Sequence, residues 1–171
     1  METWDAIRAR RNVRTYTDQA LARGDLERVL EAGRRAPSAS NSQPWDFVVV
    51  SDREQLQELA NVWQGAWHVA ASAATIALLA PRPENEGAGQ LVQYDLGQAT
   101  ANMMIAASDL GIGSAHAAVT DQELAQRLLG FPDDRYCAYL IALGVPADAP
   151  LEPILKPDRR AFEDVVHWGS W

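Results

Sequence analysis

The sequence predicts a mixed α+β domain, a central sheet covered by helices. Three observations lead there. Apolar runs of strand length alternate with amphipathic stretches of helix length. Capping residues, prolines and glycines punctuate the boundaries between them. And 171 residues with 47% hydrophobic content suit one globular core, so residues 1–171 read as a single domain with no internal repeat or long linker.

From the N-terminus, Asp5 to Arg11 suits a short helix, and Asn12 to Thr17, rich in β-branched and aromatic residues, reads as extended. Asp25 to Ala36 sets Leu26, Val29, Leu30 and Gly33 on one face behind Asp25 as N-cap, and stops at Pro37. Ser38 to Pro44 is a polar loop. Trp45 to Val50 has the continuous apolar run expected of a sheet interior. Ser51 to Glu54 is a capping-box pattern, continued by Leu56, Leu59, Ala60 and Trp63 as an amphipathic helix. Val69 to Ala80 reads as a second buried strand, although periodicity alone does not exclude a helix. After a loop over Pro81–Gly89, Leu91 to Leu110 is the longest helix, capped by Gly111. Ser114 to Ala118 reads as a strand, Thr120 to Glu123 opens a helix ending at Gly130, and Tyr136 to Val145 is a third strong strand. Asp158 is placed to cap a final short helix through Val166.

Composition narrows the function. A net charge of −8 argues against a nucleic-acid surface, which needs a basic face. No segment reaches the ~18 apolar residues of a membrane span, and the N-terminus lacks the pattern of a signal peptide. The single cysteine, Cys137, excludes an intrachain disulfide and most cysteine metal sites; it reads as a small core residue. No metal is expected, and the cytoplasm is the expected address. Against this acidic background stand two cationic islands: Arg8, Arg10, Arg11 and Arg14, with no acid among them, and Lys156, Arg159 and Arg160. A small-anion site and a solvated arginine-rich face explain such islands about equally well.

Three segments carry chemistry. In Arg10-Arg11-Asn12-Val13-Arg14, guanidinium groups suit bidentate contact with phosphate and approach to the carbonyl edge of a planar heterocycle. Pro37-Ser38-Ala39-Ser40-Asn41-Ser42-Gln43-Pro44-Trp45 concentrates short donors and acceptors directly before a buried strand, beyond what a plain turn requires. Gly111-Ile112-Gly113-Ser114 lets backbone approach a flat ligand closely, but it fails as a dinucleotide fingerprint, because a helix precedes it and no third glycine is correctly spaced.

Taken in order, with the C-terminal basic pair before Glu-Asp-Val-Val-His-Trp, these segments resemble the nitroreductase family over nearly the whole chain, Trp4 to His167. The resemblance implies an α+β fold with a mainly antiparallel sheet flanked by helices. It also implies an intertwined homodimer with FMN at the subunit interface, NAD(P)H as reductant, and a small organic acceptor such as a nitroaromatic or quinone. Carried over by position, Arg10 meets the FMN phosphate, Arg11 and Asn12 the phosphate or ribityl region, and Arg14 the pyrimidine edge. Pro37, Ser38, Ser40 and Asn41 reach in from the partner subunit, with Gln43 supporting their loop. Gly111 and Gly113 pass over the dimethylbenzene or N5 side, and Arg159, with or instead of Arg160, closes on the phosphate. The flavin carries the chemistry, so no catalytic side chain is required beyond Arg14 as an electrostatic stabiliser.

Departures from the family pattern are Asn12 where serine is common and Ala161 where proline is usual. The short Pro81–Gly89 connection implies a more open or differently shaped pocket, and His116 stands close to the glycine pair. Two other readings stay open: a family flavoprotein that does not react with nicotinamide, and a module that binds a flavin or nucleotide without turnover.

Overall fold

A computed structural model describes residues 1–171. Four strands, β1 (Asp46–Val50), β2 (Ala74–Pro81), β3 (Gly113–Ala118) and β4 (Arg135–Gly144), form one sheet in the order β1-β2-β4-β3, and every pairing is antiparallel. Five α-helices cover it: α1 (Thr3–Ala9), α2 (Arg23–Arg34), α3 (Arg53–Leu59), α4 (Glu86–Asp109) and α5 (Gln122–Leu129).

Alternation along the central strands divides the core. Ile76, Leu78 and Ala80 of β2, with Ile141 and Leu143 of β4, pack against Val29 of α2 and Leu96, Ala99 and Met103 of α4. Ala77, Leu79, Leu140 and Ala142 point the other way, onto Leu56 and Leu59 of α3, Val62, Val69 and Ala125. With both faces covered, β2 is buried over Ala74–Ala80.

One irregularity shapes the surface. Pairing slips by a residue opposite Leu78 and Leu79, a bulge in β4 at Ala138. Tyr136 and Tyr139, three residues apart, thereby both pack on the α4 side of the sheet. There the Gln93 amide donates to Tyr136 Oη at 2.9 Å and accepts from Tyr139 Oη at 2.6 Å.

Several boundaries differ from the sequence reading, each for a local reason. The capping boxes begin one residue later: Asp52 caps α3 by accepting from Gln55 N–H, and Asp121 caps α5 by accepting from Leu124 N–H. The chain from Val69 to Ala80 is two structures. Gln64–Ala71 is 3-10 helix, and the strand begins only at Ala74, after Ser72 bonds back to Val69 O and to Thr75. Helix α2 starts at Arg23 behind Ala22, ahead of Asp25, and α4 starts at Glu86, because Asn85 accepts from Ala88 N–H. Strand β1 lies at the sheet edge, half-covered, and not in the interior. Near the C-terminus only Phe162–Asp164 turns, as a 3-10 helix without a side-chain cap from Asp158. No helix is long and apolar enough to cross a membrane.

Candidate cofactor site

The cationic strip begins where α1 ends. Arg10 N–H still bonds to Ala6 O at 3.1 Å, but Arg10 itself is extended (φ −63°, ψ 113°), and the chain then runs along the free edge of β3. Val13 N–H donates to Ser114 O at 3.0 Å, and Asn12 bridges Ser114 in parallel. Two glycines make this docking close. A Cβ on Gly113 would lie 2.7 Å from Val13, and one on Gly144 would lie 2.6 Å from the Tyr16 ring, so both side chains sit in notches of the sheet.

Extended backbone alternates its side chains, and the strip obeys that rule. Val13 turns inward and is buried. Arg11 takes the same side and is fully engaged, with two bonds to the Asp148 carboxylate at 2.8 and 2.9 Å and one to Ala149 O. That clamp holds the Asp148 carboxyl down at about 2. Arg10, Asn12 and Arg14 share the opposite side, across roughly 13 Å at ~3.3 Å per extended residue. Arg10 donates to Asn12 Oδ1 at 3.2 Å, and neither Arg10 nor Arg14 has a carboxylate partner.

At one end of this face, Arg10 and Arg159 line a pocket of about 520 Å³ with Trp4, Ile7, Arg8, Ile154, Leu155 and Pro157. No acidic residue lines it. Burial, and then the neighbouring Arg159 charge, lower the Arg10 pKa from its ordinary value. Two guanidiniums converging on one pocket with no acidic lining make it a candidate anion site. Arg160 turns away and donates to Asp164 O, so Arg159 is the member of the pair that joins Arg10.

At the other end, Asn12 and Arg14 open into a cleft of about 510 Å³ with Trp63, Trp67, Gly65, His116, Ala117, Ala118 and Tyr139. The 3-10 turn between α3 and β2 carries Trp63 and Trp67 to the cleft. His116 is on its exposed rim, whereas Gly113 lies buried under Val13 and Gly111 (φ +73°) closes the C-terminus of α4. Behind the cleft, His68 is 1% exposed, edge-on to Trp67, with neither ring nitrogen in a well-formed hydrogen bond. Burial chiefly lowers its pKa; weak pulls from the Ala115 and Gly65 backbones oppose this, and Arg14 and His116 reinforce it.

The polar loop lies elsewhere. Ser38 to Gln43 sits at the end of α2 against α4, and neither pocket along the arginine strip includes any residue of it. Its backbone is unusual. Ser40, Asn41 and Gln43 are left-handed at φ 51°, 56° and 49°, a conformation costing ~1–3 kcal/mol for most residues other than glycine. Within it Ser38 Oγ accepts from Gln43 N–H at 3.0 Å, and the Gln43 side chain donates to Asn41 O. Pro37, Ser40, Asn41 and Gln43 are exposed and Ser38 is half-buried.

The arrangement sets a cationic pocket without acidic lining beside an aromatic-lined cleft with Arg14 among its walls. The Cys137 thiol is buried and its pKa pushed up to about 12, which removes it from reactivity at neutral pH.

Residues 7–82 match the Nitroreductase family. A protein of Archaeoglobus fulgidus named as an NADH dehydrogenase/NAD(P)H nitroreductase is 35% identical over 170 residues, covering 96% of both chains. Among solved structures, a Clostridium acetobutylicum protein named as an NADH oxidase superposes with a TM-score of 0.86 at 25% identity, covering 98% of this chain and all of the other. The NADPH:FMN oxidoreductase of Vibrio harveyi shares the fold at a TM-score of 0.83 and 23% identity, with 97% of this chain and 76% of that one covered.

Proposed function

Because this chain belongs to the nitroreductase family, we propose that it is an FMN enzyme that takes electrons from NAD(P)H and passes them to a small organic acceptor such as a nitroaromatic or quinone. The observation that carries the cofactor assignment is the face shared by Arg10, Asn12 and Arg14. It joins an uncompensated Arg10–Arg159 anion site to a cleft walled by Trp63 and Trp67. A phosphate at one end and a planar ring at the other is the shape of FMN, and the donor set fits both.

When bound, the flavin supplies the redox chemistry at its N5. The protein's task is to hold it. Arg10 and Arg159 grip the phosphate, and Asn12, whose side chain both donates and accepts, suits the ribityl hydroxyls. Arg14 would hold a fixed positive charge near the ring of a bound flavin, which would favour its reduced, anionic form. Arg11, tied to Asp148, positions the strip on which the others stand. Trp63 and Trp67 restrict water on the ring side and shape the acceptor pocket.

The protein works as a homodimer in this reading, with loop Ser38–Gln43 of one subunit completing the flavin site of the other. Support comes from the separation of the two half-sites within one chain, and from apolar side chains left exposed on it. Trp4, Tyr94, Leu155, Phe162 and Trp168 are each more than half exposed, more than an isolated surface explains. The cytoplasm is the compartment that fits a single buried thiol.

The visible absorption spectrum of the purified protein, before and after FMN addition and removal of excess, tests the assignment. Retained bands shifted from those of free FMN are expected; no bound flavin under either condition would overturn it. NADPH oxidation with a quinone acceptor then tests the electron path.

A further inference from the structure

A charged group on another element holds the Ser38–Gln43 loop. Asp95, in the middle of α4, is 2% exposed, and both carboxylate oxygens accept from Ala39 N–H at 3.1 Å. No lysine or arginine pairs with it; its other neighbour is Gln98, one turn along, which donates to Pro37 O at 3.4 Å. A buried carboxylate with no cation carries a large desolvation cost, and a helix packing on a sheet has no need of one. What it supplies is a charge-assisted acceptor at the residue immediately before the left-handed pair Ser40–Asn41. Asp95 and Gln98 thus grip Ala39 and Pro37 at the loop's entrance, and the strained turn follows from that fixed start.

We propose that Asp95 is a positioning residue of the cofactor site: it sets the backbone of the 38–43 loop so that its donors and acceptors meet the FMN of the neighbouring subunit. This rests on the reading that the loop contacts FMN. Asp95 touches no part of the cofactor itself and acts through Ala39. Removing the charge alone should cost less than removing the acceptor, because one carbonyl oxygen of an asparagine still receives the Ala39 N–H.

The test compares Asp95→Ala, Asp95→Asn and a control, Leu96→Ala, which opens a cavity on the core side of the same helix turn and removes no hydrogen bond to the loop. FMN affinity is measured by fluorescence titration of the full-length protein freed of flavin, and amide hydrogen exchange over residues 38–43 in the same flavin-free samples. Asp95→Ala is expected to weaken FMN binding about tenfold or more and to speed exchange at Ala39, as loss of a charged hydrogen bond does. Asp95→Asn should restore affinity to within about threefold. Leu96→Ala should lower Tm yet leave both readouts near wild type. An Asp95→Ala affinity within twofold of wild type, or an equal loss in Leu96→Ala, overturns the proposal. Wild-type protein that binds no FMN overturns the flavin reading and the cofactor role with it, while Ala39 exchange alone still reports whether Asp95 holds the loop.

Discussion

The two stretches proposed to meet the flavin are built in opposite ways. Between Arg10 and Arg14 the backbone is pinned to a sheet edge and the cationic side chains on the open face lack carboxylate partners. Between Ser38 and Gln43 the side chains are short and uncharged, the backbone is twisted into left-handed turns, and the hold comes from Asp95 on another helix. The first stretch supplies charge from a rigid rail; the second supplies shape from a supported loop. Substitutions on the rail should therefore change binding through electrostatics with little loss of stability, and those at the loop should act through geometry.

Removing the phosphate grip is the harshest test of that contrast. Arg10→Ala or Arg159→Ala should each cost ~2 kcal/mol of FMN binding, about 30-fold in Kd, with a Tm close to wild type because neither guanidinium has an acidic partner to strand. A comparable loss of Tm would show that these arginines are structural and erase the distinction. Next comes the rail's seat. Gly113→Ala drives a methyl into Val13 and should destabilise the fold by about 1–3 kcal/mol, lifting Asn12 and Arg14 with it; adding Val13→Ala should recover part of the loss in thermal melts.

Arg14→Ala should spare binding more than Arg10→Ala does. It should lower the flavin midpoint potential by about 30 mV, near 1.4 kcal/mol for a two-electron couple, and slow reduction by nicotinamide. An unchanged potential in an equilibrium dye titration removes Arg14 from that role. The mildest effect is with pH, and it comes from His68, buried edge-on to Trp67 behind the cleft. His68 has a folded pKa below its unfolded value near 6.5, so the unfolded chain takes up the proton first. Stability should be flat above that pH and decline as pH falls from 6.5 toward the folded pKa. His68→Gln should flatten that part of the Tm profile.

Much of this was legible from residues alone. The arginine strip, the polar loop and the glycine at the end of α4 all announce themselves by composition, and the alternation of helices and strands indicated the α+β class. What escaped was information held between segments. Val69–Ala80 is apolar but for Ser72 and Thr75, and nothing periodic marks the change from 3-10 turn to strand at Ser72 and Ala73. Asp158 and Asp25 have the right side chain for a cap but not the backbone. The edge position of β1 depends on strand order, which hydropathy does not encode. Asp95 had a signal of a kind, an acid amid the alanines and methionines of the longest helix, yet its meaning required Ala39 beside it. The pairing of Arg159 with Arg10, and the arrival of Trp63, Trp67 and His116 in one cleft, likewise appear only once distant segments meet.

That distance has a temporal side. Arg8 is bonded through its carbonyl to Ile154, Arg11 to Asp148, Val13 to Ser114 and Thr17 to Val145, each partner at least a hundred residues later in the chain. During synthesis the arginine strip emerges first and its berth last, so until β3, β4 and the segment through Ile154 have left the ribosome the strip has nothing to dock on. On the proposed reading of the strip, flavin capture has to wait until the chain is made at least to Ile154.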